Sequence, residues 1–292
     1  MEHHELVSFN KPQSQFMNRD NVAILVILTP RAENMKNASP IVIGNTHLLF
    51  NMKRGDIKLA QLAHLFAEID RVAIDSKRRT KLPTILCGDF NSTPFSPLYN
   101  FVTTGELDFR GMTKVKVSGQ DQSHQNSFNK FMFQDRVFPA ELNLTHTCKW
   151  VNGGGERTRN PIFKEEIDLT RDNDPHHRID LTGSCENTPV RELREEPGFL
   201  RHDLDFRSSY MHYGLDGSRE VTTCHDRACS TVDYILYSPG YKRHSKPSDE
   251  EQLWLSGVLS LLSEFDIQRL GKLPNQCVSS DHLMLMSSFV LS

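Results

Sequence analysis

Apolar residues form two short runs near the start of the chain, separated by a polar loop. Residues 22–29 are a continuous β-branched-rich run that a proline stops, which is typical of a strand buried on both faces. Residues 41–48 form the second run. We expect these strands to pair as a hairpin in a central sheet, after an irregular polar segment at residues 1–20.

A longer periodic segment follows the two runs. Residues 56–78 carry Leu, Phe, Ile and Ala at steps of three and four, which predicts an amphipathic helix with Lys58 and Gln61 on its polar side. The short apolar run at residues 84–87 then predicts a buried strand. Strand, helix and strand in this order indicate an α/β fold.

The pattern fades in the middle of the chain and returns near its end. Between about residues 115 and 205 the sequence is polar and charged without a sustained period, so we expect a mobile or disordered insertion there. A short helix is predicted at 96–102. Further strands are predicted at 231–237, 256–262 and 283–290.

Composition narrows the class of protein. The net charge of −3 and the pI near 6.5 exclude a global basic surface for nucleic acid and leave only local contacts. Six scattered cysteines without paired spacing indicate reduced thiols rather than a disulfide framework. No apolar run is long enough to cross a membrane. We therefore expect a soluble protein of the cytoplasm, with the nucleus as a further location.

Candidate chemistry lies where the predicted strands end. Asp89 and Asn91 follow the 84–87 strand two residues apart, so their side chains face the same way. A carboxylate can hold water or metal, and a carboxamide can donate to a phosphoryl oxygen. An ordinary turn explains the same pair equally well, because both residue types favour turns.

Three further signatures lie at strand ends: His47, Asp233 and the pair Asp281 and His282. Each has a structural explanation by itself, as a core histidine, an internal ion pair or a cap. All of them together are harder to explain in that way, because a rigid sheet brings side chains from distant segments to one place.

Four short blocks make the sequence resemble the endonuclease/exonuclease/phosphatase superfamily: NTHL at 45–48, GDFN at 88–91, VDYI at 232–235 and SDH at 280–282. Within that superfamily the sequence is most similar to the Angel subgroup, which is related to nocturnin and the poly(A) deadenylases. This resemblance covers about residues 18–120 and 206–290.

The resemblance implies a four-layer α/β sandwich whose site hydrolyses phosphoesters. It implies that Asp89 orients or deprotonates the attacking water, Asn91 holds a nonbridging phosphate oxygen and His47 contacts the phosphate. The implied cofactor is Mg²⁺ (or Mn²⁺), held by Asp89 and Asp281.

The resemblance implies that His282 stabilises the negative charge that develops on the phosphate. It also implies that Asp233 fixes the tautomer of His282 and favours its protonated form. The physical chemistry agrees, since hydrolysis needs an oriented nucleophile and positive charge where negative charge develops. Lys53 and Arg54 are candidates for additional phosphate contacts. A solvated loop explains these two residues equally well.

One expected part of the pattern is missing. The superfamily begins with a strand carrying an asparagine, and a later strand ends in the glutamate that binds Mg²⁺. Four acidic residues precede His47, and none ends such a strand: Glu2, Glu5, Asp20 and Glu33. We therefore expect a single partial domain over residues 1–292, N-terminally truncated as a short isoform, a truncated gene model or a fragment. Weak Mg²⁺ binding and exposed sheet edges should follow.

The favoured function is Mg²⁺-dependent hydrolysis at RNA 3′ ends, through removal of a terminal 2′,3′-cyclic phosphate. A 3′–5′ exoribonuclease or poly(A) deadenylase is the alternative among enzymes. Because the glutamate is missing, a non-catalytic short form that binds RNA or protein through an incomplete metal site also stays open. RNA is the expected partner, and no membrane association is expected.

Overall fold

A computed structural model of the chain describes residues 3–12, 14, 16–31, 39–75, 80–120, 130–132, 138, 140–151, 198–226, 228–241 and 251–291. The helices are α1 (Gly55–Ala73), α2 (Pro97–Thr104), α3 (Lys114–Ser118) and α4 (Glu264–Arg269). The strands are β1 (His3–Ser8), β2 (Val22–Leu28), β3 (Ile41–His47), β4 (Ile74–Asp75), β5 (Thr80–Lys81), β6 (Thr84–Asp89), β7 (Glu106–Asp108), β8 (Phe199–Arg201), β9 (Arg207–Ser208), β10 (Thr223–Cys224), β11 (Cys229–Ser230), β12 (Asp233–Ser238), β13 (Leu253–Val258) and β14 (Ser287–Leu291).

Six of these strands form one mixed sheet in the order β1-β2-β3-β6-β12-β9. β3 and β6 run parallel, and the other neighbours run antiparallel. A parallel pair needs a crossover connection, which α1 supplies. The predicted antiparallel pairing of β2 with β3 is confirmed. β1 was not predicted, because its polar sequence lacks a strand pattern and is held by pairing with β2.

The prediction that β2 is buried on both faces is wrong. Ala23, Leu25 and Ile27 are each 1% exposed and belong to the main core. Val22 and Ile24 point to the other face and are 45% and 41% exposed. Both faces of the strand carry apolar residues, but only one face is buried. The composition of the strand therefore does not indicate how many of its faces are buried.

Helix α1 is buried on nearly every side, contrary to the predicted polar face. Lys58 and Gln61 are both 0% exposed. The Gln61 amide accepts a hydrogen bond from the Leu49 N–H at 2.9 Å and donates to Asn21 Oδ1 at 3.2 Å. Such partners allow a polar side chain to be buried, which helical periodicity cannot indicate. The helix also ends at Ala73, earlier than predicted, because β4 begins there and pairs with β5.

The opposite face of the sheet is contacted by the hairpin of β13 and β14. The ring of Tyr237 on β12 lies 5.3 Å from that of Phe289 on β14. Both hairpin strands were predicted, but β13 begins earlier and β14 begins later than the apolar pattern indicated. Helices on one face and a hairpin on the other give the layered α/β arrangement of the described residues.

Parts of the segment predicted as a disordered insertion are folded. Helix α3 lies within its first residues, and β8 pairs with β7 near its end. Leu142, Cys148 and Leu200 are buried in the main core. These apolar residues are too widely and unevenly spaced to form a period, which is why the pattern missed them. Residues 121–129 and 152–197 lie outside the described residues.

The cysteine prediction is wrong for one pair. Cys224 and Cys229 are joined as a disulfide across the β10–β11 hairpin, where the two residues are directly opposite each other. Cys148 is a buried free thiol, and burial raises its pKa. None of the helices in the described part of the chain has the length and hydropathy needed to span a bilayer.

Candidate active site

The sheet register places three of the predicted site residues in one row, which we call the catalytic row: His47, Asp89 and Asp233. His47 on β3 is level with Asp89 on β6, and Asp233 on β12 is level with the same aspartate. Residues directly opposite on neighbouring strands present their side chains to the same face. The His47 Nε2 atom accordingly lies 3.4 Å from Asp89 Oδ2.

His282 joins the row from the segment between α4 and β14. Its Nδ1 atom lies 2.7 Å from Asp233 Oδ2. This hydrogen bond is the main reason that the pKa of His282 is raised above its ordinary value, and burial opposes it. Because Nδ1 is engaged, Nε2 is the nitrogen that a ligand can reach. The contact of Asp233 with His282 that the resemblance implied is therefore present, and the role of this pair in catalysis stays a prediction.

Thr222 and Thr223 hold Asp233 and the segment around His282 in place. The Thr222 hydroxyl accepts a hydrogen bond from the Asp233 N–H at 3.2 Å, and the Thr222 carbonyl accepts one from the Leu283 N–H at 2.7 Å. The Thr223 hydroxyl donates to the Asp281 carbonyl at 2.8 Å. The sequence alone assigned no role to these two threonines, because the contacts join segments that lie far apart in the chain.

Asn91 sits in a tight turn at the end of β6, with a positive φ of 47°. Its N–H donates to Asp89 Oδ1 at 2.7 Å, and its side-chain amide donates to the Leu48 carbonyl at 3.0 Å. The residue lines the main cavity although it is only 3% exposed. One amide hydrogen is therefore used inside the protein, so a phosphate contact depends on the second one.

Beneath this turn lies Lys58, which the sequence did not single out. Its Nζ atom donates to the Asn91 carbonyl at 2.5 Å and to Gln120 Oε1 at 2.9 Å. Burial lowers the pKa of Lys58 to about 7, although the negative charge of Asp89 opposes this shift. The lysine connects the Asn91 turn with Gln120 in the segment after α3, so it supports two parts of the cavity wall.

The catalytic row has the electrostatic character of a cation site. Burial, followed by the charge of Asp233, raises the pKa of Asp89. One ligand atom from each of Asp89, Asp233 and His282 lies within 4.8 Å of the others. Two carboxylates fit the way Mg²⁺ is usually held, with water and phosphate oxygens completing the coordination. The residues present therefore fit a divalent cation.

Asp281, predicted as a metal ligand, has a different position. It lines the same cavity and is exposed, and it is not part of the cluster formed by Asp89, Asp233 and His282; its role as a metal ligand stays a prediction. The sequence did not indicate that Asp233 lies beside Asp89, because this neighbourhood is set by the pairing of β6 with β12.

The two basic residues predicted to contact phosphate do not line the cavity. Lys53 is exposed beside α1. Arg54 makes a bidentate ion pair with the fully buried carboxylate of Asp56, with N–O distances of 2.9 and 3.1 Å. The structure thus gives Arg54 a role at the start of the helix, and the phosphate contact of either residue stays a prediction.

The main cavity has a volume of about 670 Å³ and joins the polar site to an apolar wall. His47, Asp89 and His282 lie along its polar part. Phe50, Met52, Phe95 and Tyr213 line it as well and keep 43% to 73% of their surface exposed. A cavity of this size can hold a nucleotide with an anionic and a planar apolar part.

Comparison with known proteins assigns the family. Residues 40–282 match the model of the endonuclease/exonuclease/phosphatase family. The chain belongs to this family. Its mixed sheet with flanking helices is the α/β sandwich expected for the family, and the family is generally dependent on a divalent metal.

Several relatives share most of this chain. Protein angel homolog 2 of Homo sapiens is 38% identical over 98% of the chain and 50% of its own length. Protein angel homolog 1 of Homo sapiens is 36% identical over 97% of the chain and 47% of its own length. The chain therefore spans about half the length of the curated relatives it matches. The crystal structure of ANGEL2, described as a 2′,3′-cyclic phosphatase, in complex with adenosine-2′,3′-vanadate is 34% identical, with a TM-score of 0.74 over 99% of this chain and 66% of that one.

Proposed function

We propose that this family member hydrolyses phosphoester bonds at RNA 3′ ends and that its substrate is a terminal 2′,3′-cyclic phosphate. The observation that carries the proposal is that His47, Asp89 and His282 line one cavity, with Asp233 beside Asp89 and hydrogen-bonded to His282. The likeness to ANGEL2, a 2′,3′-cyclic phosphatase, over nearly the whole chain supports this substrate in particular.

The side chains divide the chemistry between them. Asp89 is placed to orient the attacking water and accept its proton. A bond forms between the water oxygen and phosphorus, and one bond from phosphorus to a ribose oxygen breaks. That ribose oxygen takes up a proton from solvent, to which Asp89 returns the proton that it accepted. His282, kept protonated by Asp233, donates from Nε2 toward the phosphate oxygens on which negative charge develops.

Complete removal of the cyclic phosphate takes two hydrolyses. The first opens the ring to a phosphomonoester, and the second releases inorganic phosphate, each with one water. Asp89 and Asp233 would hold the divalent cation, Mg²⁺ or Mn²⁺, which would add positive charge beside the phosphate. Because the cluster of possible ligands contains two carboxylates, we expect its affinity to be low.

The test is hydrolysis of an RNA oligomer that ends in a 2′,3′-cyclic phosphate, with Mg²⁺, with Mn²⁺ and with a chelator. We expect metal-dependent loss of the cyclic phosphate, reduced at least about 100-fold by Asp89→Asn. The matched control is Asp108→Asn, which removes an exposed carboxylate outside the cavity. Added metal should also raise the melting temperature of the unmodified chain and of Asp108→Asn but not of Asp89→Asn.

Other results would favour the alternatives. Shortening of an adenosine-tailed oligomer, with the cyclic phosphate left intact, would support a 3′–5′ exoribonuclease or deadenylase. Tight RNA binding by folded protein without any turnover would support a non-catalytic form. The proposed location is the cytoplasm, with the nucleus as a second site, and fractionation of cells that express the chain would test it.

A further inference from the structure

Two aromatic side chains with large exposed surfaces lie side by side on the apolar wall of the main cavity. The rings of Phe95 and Tyr213 are stacked with centroids 6.1 Å apart and an angle of 23° between their planes. Phe95 is 56% exposed and Tyr213 is 46% exposed. We call this pair the aromatic rim. Exposing so much apolar surface beside a polar site is unfavourable unless a ligand covers it.

The backbone of Phe95 is held in a conformation that costs energy. Its φ is +61°, in the left-handed region that a bulky residue rarely adopts. The turn is fixed by hydrogen bonds on either side: the Ser96 N–H donates to the Thr93 carbonyl, and the Asn100 amide donates to the Phe95 carbonyl, both at 3.2 Å. A strained residue held in this way directs its side chain to a particular place, and such residues concentrate at functional sites.

Buried rings support the rim from below. The Phe95 ring meets Tyr99 and His212 edge to face, at centroid distances of 5.8 and 6.0 Å. His212 is 4% exposed, and its Nε2 atom lies 2.9 Å from the Tyr99 hydroxyl oxygen. Burial lowers the pKa of His212 to about 4, so the supporting ring is uncharged at neutral pH. The rim is thus an apolar platform that packs on buried, uncharged rings.

The position of the rim indicates which ligand it fits. Phe95 follows the Asn91 turn by four residues, and both line the cavity that contains Asp89 and His282. An anion held at those polar residues would bring a neighbouring planar group onto this wall. Single-stranded RNA ends are recognised in this way, by stacking of unpaired bases on exposed aromatic side chains.

We propose that Phe95 and Tyr213 form a subsite on which a nucleobase of the RNA 3′ end stacks while the terminal phosphate lies at the catalytic row. This inference rests on the proposed function and adds the part of the substrate that the rim recognises. It assigns the two rings to binding and not to the chemical step, so their loss should weaken affinity and leave the rate at saturation unchanged.

The experiment uses a dinucleotide that carries 2-aminopurine and a terminal 2′,3′-cyclic phosphate. Binding to the unmodified chain should quench its fluorescence, because the base stacks. The two rim variants are made separately: Phe95→Gly, which keeps the left-handed backbone without strain, and Tyr213→Leu. Each should weaken binding and raise KM about ten-fold without changing kcat. Phe265→Leu is the control, since this ring is 63% exposed but lies outside the cavity.

The outcomes separate this inference from the proposed function. Turnover without quenching, and with the same KM in all variants, would overturn the subsite and leave the function standing. Quenching that is lost in both rim variants but not in Phe265→Leu, without any turnover, would support the subsite and overturn the function. An equal effect of all three substitutions would also overturn the subsite, because general loss of surface aromatics would then explain the result.

Discussion

Replacement of Lys58 by methionine tests whether a buried charge supports the floor of the site. In the folded chain the pKa of Lys58 is lowered from 10.5 to about 7 by burial. Between these two pH values the unfolded chain binds the proton and the folded chain does not. Stability should therefore rise with pH in this window, because the unfolded state binds more protons. Below pH 7 both states are protonated, and the folded state bears the full cost of burying the charge.

The magnitude follows from the lowered pKa. One pH unit corresponds to about 1.4 kcal/mol per proton. The free energy of unfolding of the unmodified chain should thus increase, relative to that of Lys58→Met, by about 5 kcal/mol between pH 7 and 10.5. Between pH 7 and 9.5 the relative increase should be about 3 kcal/mol. Methionine has a similar length and no charge, so the variant removes the titration while it largely preserves the packing.

The assay is urea unfolding at a series of pH values from 7 to 9.5, followed by the difference between the two stability curves. Lys116→Met is the matched control, because this lysine is exposed and should leave the pH dependence unchanged. If the curves of the unmodified chain and of Lys58→Met stay parallel, the native lysine is charged throughout and the reasoning is refuted. A lower rate of catalysis in Lys58→Met is also expected, because the Asn91 carbonyl loses its partner.

Two other substitutions test the site and its sheet. Asp233→Asn should lower the pKa of His282, because the substitution removes the carboxylate that raises this pKa. It should also lower the pKa of Asp89, because a neighbouring negative charge is lost. An unchanged midpoint of the His282 imidazole in an NMR titration would contradict the first expectation. Gly88→Ala should destabilise the chain by about 2–4 kcal/mol in urea unfolding, because φ is +141° and the added methyl would lie 1.9 Å from a backbone oxygen of β3. Gly257→Ala, with no atom within 4 Å, should change stability by less than about 1 kcal/mol, and equal losses in both variants would count against the register argument.

The site could be predicted from the sequence to the extent that its residues lie at strand ends. His47 and Asp89 lie at the ends of apolar runs, and the order of strand, helix and strand indicated an α/β fold. The structure adds that their strands are parallel neighbours. The pairing of His282 with Asp233 was implied by the resemblance and is present in the structure. The resemblance implied Asp281 as a metal ligand, and this stays a prediction, whereas the structure shows that Asp233 lies next to Asp89.

Burial was the property that the pattern predicted least well. Lys58 and Gln61 occupy polar positions of a helix, and only the segments that pack around α1 decide that they are buried. The same holds for β2, which is apolar on both faces and exposed on one. Periodicity reports what a segment prefers locally, and burial depends on contacts with distant segments.

The sequence by itself indicated the main strands of the central sheet, helix α1, the family and the polar residues at the strand ends. It did so because strand ends and short motifs are local features of the chain. Only the tertiary structure decided which aspartates are neighbours, how Lys58 supports Asn91 and that Phe95 stacks on Tyr213. These relations join residues far apart in sequence, and they exist only once the sheet register and the packing around it bring those residues within contact distance.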